Sequence, residues 1–556
     1  DPKVFEMLSR GENTGVFQLE SAGMRDLGRQ MQSSNFEQII AIVALYRPGP
    51  MDNIPKYLAC LHGQEERDYM HPLLEPVLKD TYGVMIYQEQ VMQAAQILGG
   101  YSLGAADLLR RAMGKKIQSE MDAQREKFVQ GARETNNVPD AQANAIFDQI
   151  AKFAGYGFNK AHSAGYALIA YQTAWLKAHY PVSFMAASMT LDMGNTDKLA
   201  VFKQECDRLG IAVLPPDINA AGPEFQVEGT SIRYALGALK GVGGDAMARI
   251  QAERLKNGAY QDLYDLVERA ARHFNRRAFE VCAWAGAFDS LDPDRARVAA
   301  SADLLLRHGH EVQNEKESGQ SSLFGSAGPG ENLVRPVLPE AESWDLLDRL
   351  NAEFEAIGFY LSAHPLDERE RQLQSLNVTP AAEIEERMNG HSALRFQMAG
   401  VVLKKQERSA AKTGNKFAFV QLSDRSGVYE VAVFSELLIQ TRELLEPGRA
   451  LYLTVDVEKR EEQLRMTAQA IQDLDSVGSA AGGICVIELA SAEGLEKLTP
   501  ILNGLGKGRT EIRVSLPLQE IAHHAEFSIL NMRSLDGASR RALQKCKSVV
   551  GLEERQ

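Results

Sequence analysis

The chain predicts a multidomain fold class: a mainly α-helical N-terminal part, then a five-stranded OB β-barrel, then a small α+β domain. Three observations predict it. The 556 residues exceed what one hydrophobic core organises. Apolar residues recur at helical spacing, between glycine stops, through the first part of the chain. Five short runs of strand composition then follow one another within 391–477, separated by turn residues.

The elements follow in order. Residues 1–220 contain "FEQIIAIVALY", "EQVMQAAQILGGYSLGAADLLRRAMGKK" and "AQANAIFDQIAKFAG", all with helical periodicity, interrupted by a strand-like "YGVMIYQEQ". Residues 221–310 hold "YALGALKGVGGDAMARIQAER" and "NRRAFEVCAWAGAFDSL", each a helix beside a glycine turn. Residues 311–340, rich in Ser, Gly, Pro and Glu, read as a flexible linker. A helical connector occupies 341–390. The barrel strands are "FQMAGVVLKK", "KFAFVQLSD", "VYEVAVFSE", "ALYLTVDVEK" and "LRMTAQAIQDL". A second linker at 478–483 precedes 484–556, which shows strands at "ICVIELA" and "EIRVSL".

Composition narrows the class. Hydrophobic residues make up 44% and charged residues 24%, and no apolar run reaches the length of a membrane span, so a soluble chain with no membrane partner is expected. Five scattered cysteines without a CxxC pair argue against zinc and disulfides and suit a reducing cytoplasm. Asp1 is preceded by neither an initiator methionine nor a signal sequence, so the chain is expected to be a piece of something longer. Net charge is −13, and the span 311–370 supplies thirteen acidic against four basic residues, or −9 of it. Acidity is therefore regional, and basic surfaces remain possible on either side.

Several motifs carry chemistry. "FAGYGFNKAHSAGY" places Gly155 and Gly157 before a helix that Asn159 or Ser163 can cap. Free N–H groups at a helix mouth attract anions, Lys160 adds a full charge, and Tyr156 and Phe158 add flat surfaces, so a nucleotide suits the set. A plain glycine connection between two helices explains the same glycines. Further along that helix, Leu168, Tyr171, Trp175 and Ala178 share a face expected to pack. "LLRRAMGKK" gathers Arg110, Arg111, Lys115 and Lys116 around Gly114, read as the residue after a helix end. The helix dipole accounts for cations there. Arg111 and Lys115, four apart, nonetheless repel by about 0.2–0.5 kcal/mol, which an anionic ligand removes.

"LKGVGGD" resembles the hairpin of a helix-hairpin-helix unit, in which Lys240 and the amides of Gly241 and Gly243 meet DNA phosphates without reading sequence. A simple helix-helix turn needs the same glycines. In the acidic linker, "QSSLF" (Gln320, Leu323, Phe324) reads as a short peptide that docks in a partner's apolar pocket, or else folds back on this chain. Lys404, Lys405, Arg408, Lys412 and Lys416 surround Phe417 and Phe419 in the barrel segment, a composition suited to single-stranded nucleic acid. Since strand alternation puts both phenylalanines on one face, and one face is core, the basic residues are the stronger signal. The pairs Asp292/Asp294 and Asp473/Asp475 sit in turns and read as structural rather than as magnesium ligands, and no metal site is assigned.

Taken with "DPKVFEMLSRGENTGVFQLES", "IVALYRPGP", "TYGVMIYQEQVMQ" and "VLPPDIN", these motifs resemble the C-family of replicative DNA polymerases, the bacterial polymerase III alpha subunits. The resemblance covers nearly the whole chain and is most specific over its first 245 residues or so. It implies that 1–220 are the fingers, with Arg110, Arg111, Tyr156, Asn159, Lys160 and His162 forming the pocket for the incoming nucleotide. Lys115 and Lys116 are expected on DNA. It implies tandem helix-hairpin-helix units over 221–310, a sliding-clamp peptide at Gln320, Leu323 and Phe324, and a clamp-loader (tau) binding domain at 484–556. Primer-template DNA and dNTPs are the implied ligands, in a bacterial cytoplasmic, nucleoid-associated replisome. The resemblance also places the Mg2+-binding palm aspartates, and the PHP domain that contacts the proofreading exonuclease, ahead of Asp1. This chain alone is accordingly expected not to polymerise.

Overall fold

The computed structural model describes all residues except 116–117, 155–156, 319–333, 389–390, 410–415, 461–462, 479–483, 518–523, 530–531, 534–538, 540–541, 544–545, 547 and 556. Residues 1–214 and 221–235 form one unit; 215–220 and 236–556 form the other. The expected boundary at 220 is thus no single cut. Strand β1 (Val213–Leu214) lies before it, yet pairs in parallel with β3 (Ser231–Arg233), which also pairs antiparallel with β2 (Gln226–Glu228). Between them, Ile218 belongs to the second unit: its N–H donates to the Ala287 carbonyl and its carbonyl accepts from Arg254.

The first unit has two cores. One forms where helices Pro2–Ser9, Phe36–Leu45 and Lys160–His179 meet; the other fills the space among Gln88–Gly99, Leu103–Lys115, Gln118–Asn136 and Asp140–Ala154. Phe36–Leu45 starts at a capping box in which Asn35 and Gln38 satisfy each other's backbone amides. Against it, Lys160–His179 buries Ser163, Ala167, Ala170 and Ala174. Small residues at this spacing let the two backbones approach, and Ser163 Oγ donates to the Ile40 carbonyl at 2.7 Å. The expected face therefore shifts: Tyr171 and Trp175 flank the contact and Ala178 is buried, but Leu168 is 49% exposed. Helix Leu103–Lys115 runs through Gly114, which is interior and not the residue after the helix end. The strand-like "YGVMIYQEQ" makes one bridge, Tyr87 to Phe158, before the helix starts at Gln88.

In the second unit, helices Gly244–Asn257, Leu263–Ala270, Arg276–Trp284 and Ala302–Ser318 are followed by Leu346–Ile357. The expected linker start at 311 is corrected, because 311–318 complete the helix Ala302–Ser318. Polar composition marked an exposed helix end there as well as a linker. Strands β4 (Ala393–Ser409), β5 (Lys416–Asp424), β6 (Gly427–Val433), β7 (Ala450–Arg460) and β8 (Gln463–Asp473) close a barrel in the order β4-β5-β6-β8-β7. Alternate side chains, including Ala418, Val420, Leu422, Val431, Leu453 and Val455, fill it. Strands β9 (Ile484–Leu489), β10 (Lys507–Pro517), β11 (His524–Ser528) and β12 (Val549–Arg555) form a sheet ordered β11-β10-β9-β12, packed with helix Gly494–Gly504.

Candidate nucleotide and nucleic-acid sites

Of the two residues expected to cap the helix mouth at Lys160, Asn159 does so: its Oδ1 accepts from the His162 N–H at 2.7 Å. An anion does sit on it, and that anion is the protein's own. Glu89 accepts from the Lys160 N–H at 3.0 and 2.9 Å through its two oxygens, and from Asn159 Nδ2 at 2.9 Å. Lys160 Nζ pairs with Glu37 at 2.9 Å and lies 5.4 Å from the centre of the buried Tyr87 ring.

The two predicted motifs converge here. Gln88 joins them: its N–H donates to the Phe158 carbonyl, its Nε2 to the Gly157 carbonyl at 2.8 Å, and its Oε1 accepts from Arg110 at 3.2 Å. Arg110 and Arg111 share Asp107, at 2.8 and 2.9 Å, and the Arg110 hydrogen bond foremost holds that carboxyl below its usual range. Asp107 thus gives Arg111 a carboxylate of the protein's own, where the sequence suggested an anionic ligand to relieve its repulsion from Lys115. Phe158 carries the Arg47 guanidinium 3.2 Å from its ring centre and meets His162 edge-on at 5.3 Å. His162 stacks at 4.6 Å with Tyr166, which continues at 5.6 Å to Phe17. Tyr156, Lys116 and the Lys115 side chain lie outside the described residues.

The predicted hairpin is a turn between Leu236–Ala238 and the helix Gly244–Asn257. Gly241 has φ +74°, and a Cβ at Gly241, Gly243 or Gly244 would meet nothing within 4 Å, so a backbone ligand can approach. Lys240 is less available. Its N–H donates to the Ala356 carbonyl at 2.9 Å, its ammonium reaches the Phe354 carbonyl at 3.4 Å, and burial lowers its pKa. The second glycine turn differs: Gly286, φ +81°, is covered by the Arg295 guanidinium, which is held by Asp289 at 2.7 Å.

On the barrel, the structure settles which face the two aromatics share, a point alternation left open. Ala418 and Val420 point inward, so Phe417 and Phe419 stand on the outer face, 5.5 Å apart, with the 56%-exposed Phe434 6.4 Å from Phe417. Cross-strand pairing puts Lys404, Gln406 and Arg408 opposite Gln421, Phe419 and Phe417. Arg408 lies 5.5 Å from the Phe419 ring centre. Lys405 faces away and pairs with Glu446 at 2.8 Å, beside Glu407, whose hydrogen bond from Arg442 lowers its pKa. Lys416 is exposed; Lys412 is outside the described residues, as are Gln320, Leu323 and Phe324.

Both aspartate pairs serve turns. Asp292 accepts from the Asp294 N–H and pairs with Arg297, and Asp294 caps the helix Arg295–Ala300. Asp473 accepts from the Asp475 N–H, and Asp475 pairs with Arg369. No cluster of His, Cys, Asp and Glu able to hold a metal ion occurs among the described residues, and no helix among them is long and apolar enough to cross a membrane. Sequence reasoning missed Gln88, Glu89, Glu37 and Arg47. The available signal was the pair Gln88-Glu89 placed directly after an apolar run, but their partners lie about 70 positions away.

Residues 1–136 match the bacterial DNA polymerase III alpha subunit finger domain, 210–298 a helix-hairpin-helix motif, and 396–474 an OB-fold nucleic acid binding domain. DNA polymerase III subunit alpha of Caulobacter vibrioides (strain NA1000 / CB15N) is 46% identical over 560 residues, spanning 100% of this chain and 48% of the relative. The protein of the same name from Escherichia coli (strain K12) is 41% identical, over 85% of this chain and 42% of the relative. That from Thermus aquaticus is 42% identical, over 86% and 39%. The chain thus spans about half the length of these relatives. A solved single-stranded DNA binding protein, mitochondrial Rim1 of S. cerevisiae, aligns with 15% of this chain and 95% of its own at 19% identity; the TM-score of 0.13 carries no argument. With its fingers, hairpin and barrel segments in one chain, and relatives of one name along its length, the protein belongs to the family of bacterial DNA polymerase III alpha subunits.

Proposed function

We propose that this chain supplies the incoming-nucleotide and DNA-binding parts of a template-directed DNA polymerase. Gln88 is the observation that carries the reading, since it ties Arg110 to the Gly157–Phe158 backbone and so gathers cations, aromatic rings and a helix mouth into one locus. Arg110, Arg111 and Lys160 would receive the triphosphate. His162 and Tyr156 would meet the base or sugar, and Asn159 would hold the mouth in shape. The carboxylates beside them, Glu37, Glu89 and Asp107, are committed to cations and amides and do not suit Mg2+, so no metal-dependent step is assigned to them. A divalent ion, when bound by the whole polymerase, would polarise the phosphoryl group under attack.

The open hairpin at Gly241–Gly244 would take duplex backbone, and Lys115 and Lys116 are proposed separately to meet DNA. The outer face of the barrel, Lys404, Arg408, Phe417 and Phe419, would take single-stranded template, with the exposed Lys416 at the start of the same strand. Gln320, Leu323 and Phe324 are proposed to bind the sliding clamp, and 484–556 the clamp loader. The test is Lys160→Glu in the full polymerase at an assembled primer terminus. The KM for dNTP should rise at least about tenfold, as loss of a charge-assisted contact implies, while DNA affinity stays near the parent value. A change confined to DNA affinity would instead make this locus a backbone-binding scaffold.

A further inference from the structure

Four cations surround the Tyr87–Phe158 bridge, and they are not equivalent. Arg110 and Arg111 both pair with Asp107, and Lys160 pairs with Glu37. Arg47 is half-buried on the Phe158 ring, 3.2 Å from its centre, and its guanidinium donates to the Val43 carbonyl at 3.2 Å. Among the described residues it has no carboxylate partner. Burial lowers its pKa. A guanidinium carries five N–H donors, and its charge does not leave it at any physiological pH, so a half-buried one without an anion has donors to spare. Its ring partner Phe158 is fixed by backbone bonds from Ile86 and Gln88, which also fixes where the guanidinium can go.

We infer that Arg47 is a further phosphate-binding residue of this site, offering its free donors to a phosphate oxygen beside Phe158. The inference rests on the nucleotide-site reading above and adds a ligand-binding residue to it. Two phosphate sources share this chemistry: the triphosphate of the incoming nucleotide and the backbone of the primer-template. Stacking on Phe158 orients the planar fork, which a lysine could not reproduce, so Arg47→Lys should fall between parent and Arg47→Gln.

The experiment uses the full polymerase carrying Arg47→Gln, Arg47→Lys, Arg110→Ala or Lys160→Glu, with dNTP titrated at saturating primer-template and DNA affinity measured against salt. For Arg47→Gln the expected result is a rise in dNTP KM of about tenfold or more with smaller change in kcat, the size expected of one charged hydrogen-bond donor lost. If the phosphate is the DNA's, the KM stays put while DNA affinity drops and its salt slope shrinks by about one counterion. Either result supports the inference. It is overturned if Arg47→Gln changes neither quantity, or if Gln and Lys lose equally and in step with thermal stability, which marks a packing role. Should Arg110→Ala and Lys160→Glu leave KM unchanged as well, the nucleotide-site reading fails; should they raise it while Arg47→Gln does not, only the Arg47 inference fails.

Discussion

Lys177 shows how much one side chain can organise. Its ammonium is fully buried in the first unit, donates to the Glu12 and Thr14 carbonyls at 2.8 Å, and meets Glu205 at 2.6 Å. Burial pushes Glu205 up, but hydrogen bonds from Arg208 and Lys177 outweigh it and hold the carboxyl below its usual range. Removing Lys177 takes a donor from the Glu12 and Thr14 carbonyls and leaves Glu205 paired with Arg208 alone, so Lys177→Ala should cost about 1–3 kcal/mol, read as a lower denaturant midpoint for the first unit. The sign with pH follows from the depressed folded-state value. The contribution of Glu205 is present above the ordinary value of 4.5 and is lost as pH falls below it through the folded pKa. None of this was visible in "QTAWLKAHYP", where Lys177 reads as a solvated charge near a helix end, because its partners come from residues 12–14 and 205. Conversely, Asn159 and the glycines before it were legible, since a cap and its first amides are neighbours in sequence.

At the scale of elements, what was legible followed periodicity. The five barrel strands sit where runs of strand composition between turn residues put them. Alternation alone does not say which face is inside, and so the face of Phe417 and Phe419 stayed open; the deciding fact is that Ala418, Val420 and Leu422 together fill the interior. This gives a discriminating pair. Phe419→Ala should weaken binding of a single-stranded oligonucleotide by about 1–3 kcal/mol in an anisotropy titration, the range found for base–aromatic stacking. Lys405→Ala, on the opposite face and bound to Glu446, should leave that affinity nearly unchanged. Equal effects from both would mean that net charge rather than the outer face binds the strand. The bridge at Tyr87–Phe158 was illegible for a different reason: one backbone pairing between distant segments leaves no period behind it.

Across the whole molecule, two units with separate cores should not unfold as one. Calorimetry should resolve more than one transition, and acid should act on the second unit through His364. Its Nδ1 accepts from the Leu366 N–H at 3.2 Å while Nε2 meets Ser423 Oγ at 3.0 Å, an arrangement of the neutral ring that links the connector to the barrel. Burial pushes this histidine down to about 4 from 6.5. The unfolded chain therefore binds a proton that the folded one refuses, and stability of the second unit should decline as pH drops from 6.5 towards 4. His364→Gln should flatten that part of the curve. The locus proposed for the incoming nucleotide carries a larger consequence. Glu37, Glu89 and Asp107 set three negative charges against Arg110, Arg111 and Lys160, and Arg47 adds a fourth positive charge. A locus so nearly balanced casts a weak field into solution and is a poor lure for stray polyanions. On the proposed reading, entry of a triphosphate would be an exchange of partners rather than a capture, so that a ligand would have to match several contacts at once to displace what is already there, and inorganic phosphate would be poorly equipped to compete.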